Sequence, residues 1–122
     1  MALAQGNICW YEIPTPDFEK SKAFYSKLFG WKFQQEKTFS NDYWFISPPA
    51  NGIGGGLYRG EPIGRPTIIP YFVVSDMGEA IQQASHLGGK VLKPKTLITQ
   101  ETGFFAHIQD NVGNLIAFWS QE

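Results

Sequence analysis

The feature that most constrains the fold of this 122-residue chain is an internal repeat. Asp17 opens a helix-like stretch that closes at Gly30, thirteen positions on, and Asp76 opens another that closes at Gly89, also thirteen positions on. At that common offset of 59, Phe18 falls over Met77, Leu28 over Leu87, and Trp31-Lys32-Phe33 over Lys90-Val91-Leu92. An aspartate can cap the first free amides of a helix, and a glycine can end one in the left-handed conformation. Cap, apolar face and stop therefore recur together, which points to two copies of one supersecondary unit.

The flanking segments repeat as well. Residues 7–13 are rich in aromatic and β-branched side chains and are punctuated by Pro14 and Pro16, which reads as a strand. Phe18, Lys22, Tyr25, Leu28 and Phe29, with Phe24 beside them, then follow helical spacing. Strands are predicted at 31–36, at 43–47 and, thinned by glycines, at 53–58. The polar stretch 59–66 is a linker. After it come a strand at 67–74 and a helix whose apolar positions are Ile81, Ala84 and Leu87. Asp76 and Glu79 form a capping-box-like pair at its start. Strands follow at 90–98, 104–109 and 115–120, with a turn at 110–113. Pro94 marks the first of these three as an edge or bulged strand. The prediction is an α+β fold, one domain over 1–122, built from βαβββ modules at 7–58 and 67–120.

Charge and cysteine content exclude several classes. Ten Lys+Arg against eleven Asp+Glu leave a net charge of −1, too little for a basic nucleic-acid footprint. The single cysteine, Cys9, allows no internal disulfide. The nearly apolar run at 67–74 is too short to span a bilayer, and residues 1–6 lack the pattern of a signal peptide. A cytoplasmic protein without membrane or nucleic-acid partners is expected. Aromatic residues make up 16% of the chain, enough to suggest rings lining a cavity or interface as well as a core.

The segment Cys9-Trp10-Tyr11-Glu12-Ile13-Pro14-Thr15-Pro16-Asp17, followed by Ala23-Phe24-Tyr25 and Leu28-Phe29-Gly30-Trp31, resembles small single-domain members of the glyoxalase/bleomycin-resistance/extradiol-dioxygenase (vicinal oxygen chelate) superfamily. The tail Asp110-Asn111-Val112-Gly113-Asn114 resembles the Asp-Pro-Asp-Gly-Asn turn of that family, with Asn111 and Val112 departing from it. The resemblance implies a curved, barrel-like mixed sheet with helices outside, and a homodimer.

It also implies where a divalent metal would sit in metal-dependent relatives, whose His and Glu or Gln ligands come from four strands. Those positions fall here on Trp10, Gly56, Pro70 and Ala117. None can ligate through its side chain, and shifting each by one residue leaves the set no better. The expectation is no metal and no other cofactor at this site.

What remains is a cavity lined by rings. If Trp10 faces inward, so does Glu12, two residues along the strand. A carboxylate among aromatic side chains is costly in its charged form, so it either takes up protons as a general base or holds a cation. The competing reading is that Glu12 only organises its strand by hydrogen bonding. His107, on the seventh strand, is a second candidate for proton chemistry; the bland alternative is a core or surface histidine. His86 sits where a cation would favour a helix C-terminus. Trp10, Tyr58, Tyr71, Phe104 and Phe118 are the candidate ligand-binding rings, with Tyr43 and Phe45 as further possible lining, though packing alone would account for part of the set. The glycine run at 52–56 leads into a strand with no following Lys-Ser or Lys-Thr, so it suits close backbone approach better than a phosphate loop. Cys9 reads as an inert thiol.

Three functions fit this reading. The first is a metal-free binding protein for a small organic ligand. The second is a metal-independent isomerase or lyase with Glu12 as base. The third is a non-catalytic dimeric interaction domain whose cavity is filled by its own side chains.

Overall fold

The computed structural model describes residues 4–35, 42–47, 50–60 and 68–122. Most of the expected linker, with Glu36, Pro48, Pro49 and Thr67, lies outside them. The element order is β1 (Ile8–Thr15), α1 (Phe18–Phe29), β2 (Lys32–Gln35), β3 (Tyr43–Ser47), β4 (Gly55–Arg59), β5 (Ile69–Val73), α2 (Met77–His86), β6 (Lys90–Thr99), β7 (Gly103–Gln109) and β8 (Leu115–Ser120). The α+β class and the doubled βαβββ order are those the sequence predicts. No helix among the described residues is long and apolar enough to cross a membrane.

The chain divides into two compact units, Trp10–Ile69 and Pro70–Glu122, the latter joined by Met1–Cys9. In the first unit β2 pairs with β3 and β3 with β4, both antiparallel, while β1 lies parallel to β4. In the second unit β6 pairs with β7 and β7 with β8, again antiparallel, while β5 lies parallel to β8. Each unit is thus the same mixed sheet, with its first strand returned beside its last by a helix. The residues leading into β1 belong to the second unit, although the sequence pattern assigns residue 7 onward to the first module. The Gly6 amide donates to the Val73 carbonyl, the Val73 amide donates to Asn7, and the Gln5 side chain accepts from both Ser75 N and Ser75 Oγ.

Both helices start as their caps require. The Asp17 carboxylate accepts the Lys20 amide at 3.1 Å, and the Asp76 carboxylate accepts the Glu79 amide at 3.0 Å. Gly30 ends α1 in the left-handed conformation (φ 76°), and its amide donates to the Ser26 carbonyl. Side chains alternate along the strands. One face of the first sheet sends Ile46 and Leu57 under α1, where they meet Phe18, with Tyr11, Ile13, Phe33 and Trp44 around them. In the second unit Val74, Ala106 and Ile108 meet Met77 of α2 in the same way. Phe18 and Met77, equivalent by the offset of 59, are the buried anchors of their helices.

Three apolar positions expected on the buried helix faces are instead open. Leu28, Phe29 and Leu87 are more than half exposed. Leu28 and Phe29 lie in the last turn of α1, and Leu87 just past the end of α2. Phe29 packs with Trp31 (ring centroids 5.3 Å apart), which itself stacks on Tyr25 at 5.0 Å, so Trp31 links these helix rings to the edge of the core cluster under α1. Pro94 does lie in an irregular strand: the β6–β7 register shifts between Lys93 and Thr96.

Equivalent caps have equivalent effects. Asp17→Ala and Asp76→Ala are each expected to cost about 1 kcal/mol, measured by urea denaturation with an unchanged m-value. A loss at only one of the two sites would contradict the equivalence.

Candidate functional site

Each sheet has a second face, pointing away from its helix, and that is where the polar chemistry collects. In the first unit one row of the sheet runs Glu12–Gly56–Phe45–Gln34, and the next runs Pro14–Tyr58–Tyr43. Strand alternation puts Trp10, Glu12, Tyr43, Phe45 and Tyr58 together on this face. Tyr43 is its centre. The Trp10 indole Nε1–H donates to the Tyr43 hydroxyl at 2.9 Å, and that hydroxyl is hydrogen-bonded to the Glu12 carboxylate. Burial pushes the Tyr43 phenol far above its ordinary range, and the Glu12 charge beside it adds to the shift. Burial and the same charge also raise Tyr58. Phe45 completes the group, with its ring nearly perpendicular to those of Trp10 (84°, centroids 5.7 Å apart) and Tyr43 (89°, 5.9 Å).

The glycine run makes room for these rings. A Cβ on Gly56 would fall on the Tyr43 hydroxyl and ring, one on Gly54 would meet the Trp10 ring, and one on Gly55 would meet Tyr11 on the helix side. This is the close backbone approach that the sequence suggests for residues 52–56.

The second unit carries a counterpart. Tyr71 is equivalent to Glu12 by the offset of 59, and its row runs Tyr71–Ala117–His107. Ala117 therefore takes the place that Gly56 has in the first unit. Across it the Tyr71 hydroxyl approaches His107 Nε2 to 3.5 Å, a long contact. The Phe105 ring lies 5.4 Å from the His107 ring, and Lys93 is paired with His107 across β6 and β7. Burial lowers the His107 pKa below 6.5, with the Lys93 charge adding to the shift. The imidazole is therefore neutral at pH 7, able to donate through one nitrogen and accept through the other.

The structure groups some of the candidates from sequence and separates others. Trp10, Glu12 and Tyr58 come together in the first unit, and Tyr71 and His107 in the second. Phe104 and Phe118 pack against the Val74–Met77 core under α2, on the opposite face of the sheet from His107. Phe105 and Lys93 are the second-unit neighbours that sequence reading missed; Phe105 could have been found because it shares strand parity with His107. The Cys9 thiol contacts the Tyr71 carbonyl at 3.7 Å, and burial raises its pKa, so little thiolate is present at neutral pH. His86 ends α2 and is exposed.

The positions assigned to a metal by family resemblance do not fit one. The Trp10 N–H is committed to Tyr43, Gly56 has no side chain and its space is filled by Tyr43, and Pro70 and Ala117 offer no donor atom. No group of three or more His, Cys, Asp or Glu residues that could hold an ion occurs among the described residues.

Comparison with known proteins places this arrangement among relatives. The family model of the Glyoxalase/Bleomycin resistance protein/Dioxygenase superfamily matches residues 7–118. A glyoxylase-like domain-containing protein of Didymella fabae is 30% identical over 120 residues, covering 92% of this chain and 91% of that one. CFP32 of Mycobacterium tuberculosis, named as a candidate glyoxylase, is 26% identical over 94% of this chain but only 46% of its own length. The chain thus spans about half the length of that mycobacterial relative. Among solved structures, the Mn(II)-bound glyoxalase of Novosphingobium aromaticivorans superposes with a TM-score of 0.69 at 17% identity, covering 98% of this chain and 40% of that one. The methylmalonyl-CoA epimerase of Mycobacterium tuberculosis gives 0.68 at 13% identity, covering 100% and 93%. At such identities these two likenesses concern the fold.

Two outcomes test the geometry. Gly56→Ala should expel the Tyr43 hydroxyl from between Trp10 and Glu12 and cost about 1–3 kcal/mol, seen as a lower urea midpoint and altered tryptophan emission. For His107 the folded state resists protonation, so the unfolded chain binds the extra proton. The stability at stake is complete above pH 6.5 and is lost as pH falls below 6.5 toward the lowered folded value. His107→Gln should flatten that part of the stability–pH curve, whereas an unchanged curve would count against the burial argument.

Proposed function

The chain belongs to the Glyoxalase/Bleomycin resistance protein/Dioxygenase superfamily, and from that premise we propose that it is a metal-independent member that binds a small organic ligand on the open aromatic face of its first unit. One observation carries this reading: where relatives would need a ligating side chain, Gly56 admits the Tyr43 ring, and the Tyr43 hydroxyl ties Trp10 to Glu12. The site presents ring surfaces and one anion in place of a set of metal donors. Ligand sites are mostly apolar with a few placed polar groups, and Glu12 supplies such a group.

Binding is favoured over base catalysis by the state of Glu12. A hydroxyl bonded to it satisfies part of its charge and fixes its orientation. That suits a standing anion that orients a ligand better than a base that must take up a proton. The metal-independent isomerase or lyase reading is second. What supports it is His107, whose neutral imidazole stands beside Tyr71 with one nitrogen able to donate and the other to accept. A homodimer in the cytoplasm completes the proposal. The single free thiol suits a reducing compartment.

Thermal-shift measurement against planar and cationic aromatic compounds, aldehyde–thiol adducts, and Ni, Zn and Mn salts tests the proposal. At least one organic compound should raise Tm, because binding to the native state alone stabilises it, and Glu12→Gln should shrink that rise. A rise with any of the three metals that EDTA reverses would overturn the metal-free reading.

A further inference from the structure

We infer that the second unit carries a further binding site, a cavity at the C-terminal end of α2 that takes a small neutral aromatic molecule with one hydrogen-bonding substituent. The cavity has a volume of about 350 Å³, at the small end of the range for ligand sites, roughly 300–1,000 Å³. Ala84 and Leu87 wall it at the end of α2, and Ile108 and Ile116 wall it from β7 and β8. Ala84, Ile108 and Ile116 belong to the packing under α2, so this site is distinct from the open ring face of the first unit.

The repeat indicates what such a space accepts. In the first unit the end of α1 meets its sheet through rings. Tyr25 stacks on Trp31 (17°, centroids 5.0 Å apart) and on Phe29 (22°, 6.2 Å), and Trp31 packs against the Phe18–Ile46–Leu57 cluster. By the offset of 59, Tyr25, Phe29 and Trp31 correspond to Ala84, Gly88 and Lys90. The second unit thus lacks all three rings, while the aliphatic floor is kept: Ile108 stands beside β8 as Ile46 stands beside β4. One copy closes this place with its own aromatic side chains, and the other leaves a cavity there.

The lining sets the chemistry. The Asp110 carboxylate accepts the Val112 amide at 3.1 Å, the Asn114 amide at 2.8 Å and the Asn114 side-chain N–H at 2.9 Å, so its charge is committed to the β7–β8 turn. No other charged side chain among the described residues lines the cavity, and an unpaired ion against aliphatic walls is costly. That selects an uncharged ligand. Gln109 and Asn111 also line the cavity, and neither side-chain amide hydrogen-bonds another described residue. Each can donate to or accept from one hydroxyl or carbonyl. The walls are set in advance. The Gly89 amide donates to the Ala84 carbonyl at 2.8 Å, and Gly89 lies too close to the Gln109 and Ala84 carbonyls to carry a Cβ, which pins the end of α2 against β7. Preorganisation of this kind reduces the entropy lost on binding.

The probe is 4-methylphenol, the tyrosine side chain itself, followed through the amide chemical shifts of the whole chain. It should shift Leu87, Gly89, Gln109 and Asn111 saturably, and the charged analogue 4-methylbenzoate should bind about tenfold more weakly. Ala84→Tyr, which restores the first unit's ring, should abolish those shifts with Tm unchanged or raised. Leu87→Gln, at an exposed position, should weaken binding about fivefold without lowering Tm, and it decides the matter alone if Ala84→Tyr does not fold. The inference is overturned by an absence of saturable shifts at these residues up to the solubility limit, by equal binding of 4-methylbenzoate, or by a Leu87→Gln chain that binds as tightly as the parent. Shifts confined to Trp10, Tyr43 and Tyr58 overturn it too, and leave the first-unit site standing.

Discussion

A buried phenol hydroxyl must find partners or cost the chain several hydrogen-bond equivalents, and in this protein the Tyr43 hydroxyl finds them on β1, in the Trp10 indole and the Glu12 carboxylate. The rest of the first unit is arranged so that this contact can form. Tyr43 stands on β3 and its partners on β1, with β4 between them. To reach across, the tyrosine must pass over β4, and only a residue without a side chain leaves the path open. Gly56 is that residue. Glycine in a strand interior weakens the strand, and three in a row would be hard to tolerate at a sheet edge. Here β4 is paired on both sides, parallel to β1 and antiparallel to β3, and Leu57 beside the glycines is fully buried under α1. Backbone pairing and one well-packed leucine offset what the glycines give up.

The same construction recurs in the second unit with different chemistry. Glu12 and Tyr71 are equivalent, as are Gly56 and Ala117, and the third member of the row is Phe45 in one and His107 in the other. In both rows the middle residue is small and its neighbours' side chains occupy the space above it. Duplication thus fixed the geometry of the row and left its chemistry free to diverge. One copy became an anion among rings, and the other a neutral imidazole beside a phenol and a lysine.

Much of the scaffold was legible in the sequence because it rests on local rules. The Asp17 and Asp76 caps, the Gly30 stop, the strand order and the irregular strand around Pro94 follow from backbone chemistry that residue types report directly. The site was legible only in part. Trp10, Glu12 and Tyr58 could be grouped because alternation along a strand, and counting between strands, place them on one face. The central role of Tyr43 depends on a contact with residues 33 positions away in sequence, which no local pattern encodes. Phe104 and Phe118 were candidates as much as Phe105, because β7 and β8 carry large rings on both faces and composition cannot decide parity there. Leu28, Phe29 and Leu87 satisfied helical periodicity, yet a periodic pattern does not show how fully each residue of the face is covered.

Fold alone does not assign an activity, and the weight of the functional argument therefore falls on the division of labour between the two faces of each strand. On β3, Trp44 and Ile46 serve the core under α1, while Tyr43 and Phe45 serve the open face. On β7, Ala106 and Ile108 pack on α2, while Phe105 and His107 lie opposite. Because neighbouring residues answer to different demands, the open face can change residue by residue without disturbing the packing that holds the strand. This is why the absence of ligating side chains at Trp10, Gly56 and Ala117 carries information. At those positions neighbouring side chains take the room: Tyr43 lies over the buried Gly56 and accepts from Trp10, and the fully buried Ala117 lies between Tyr71 and His107.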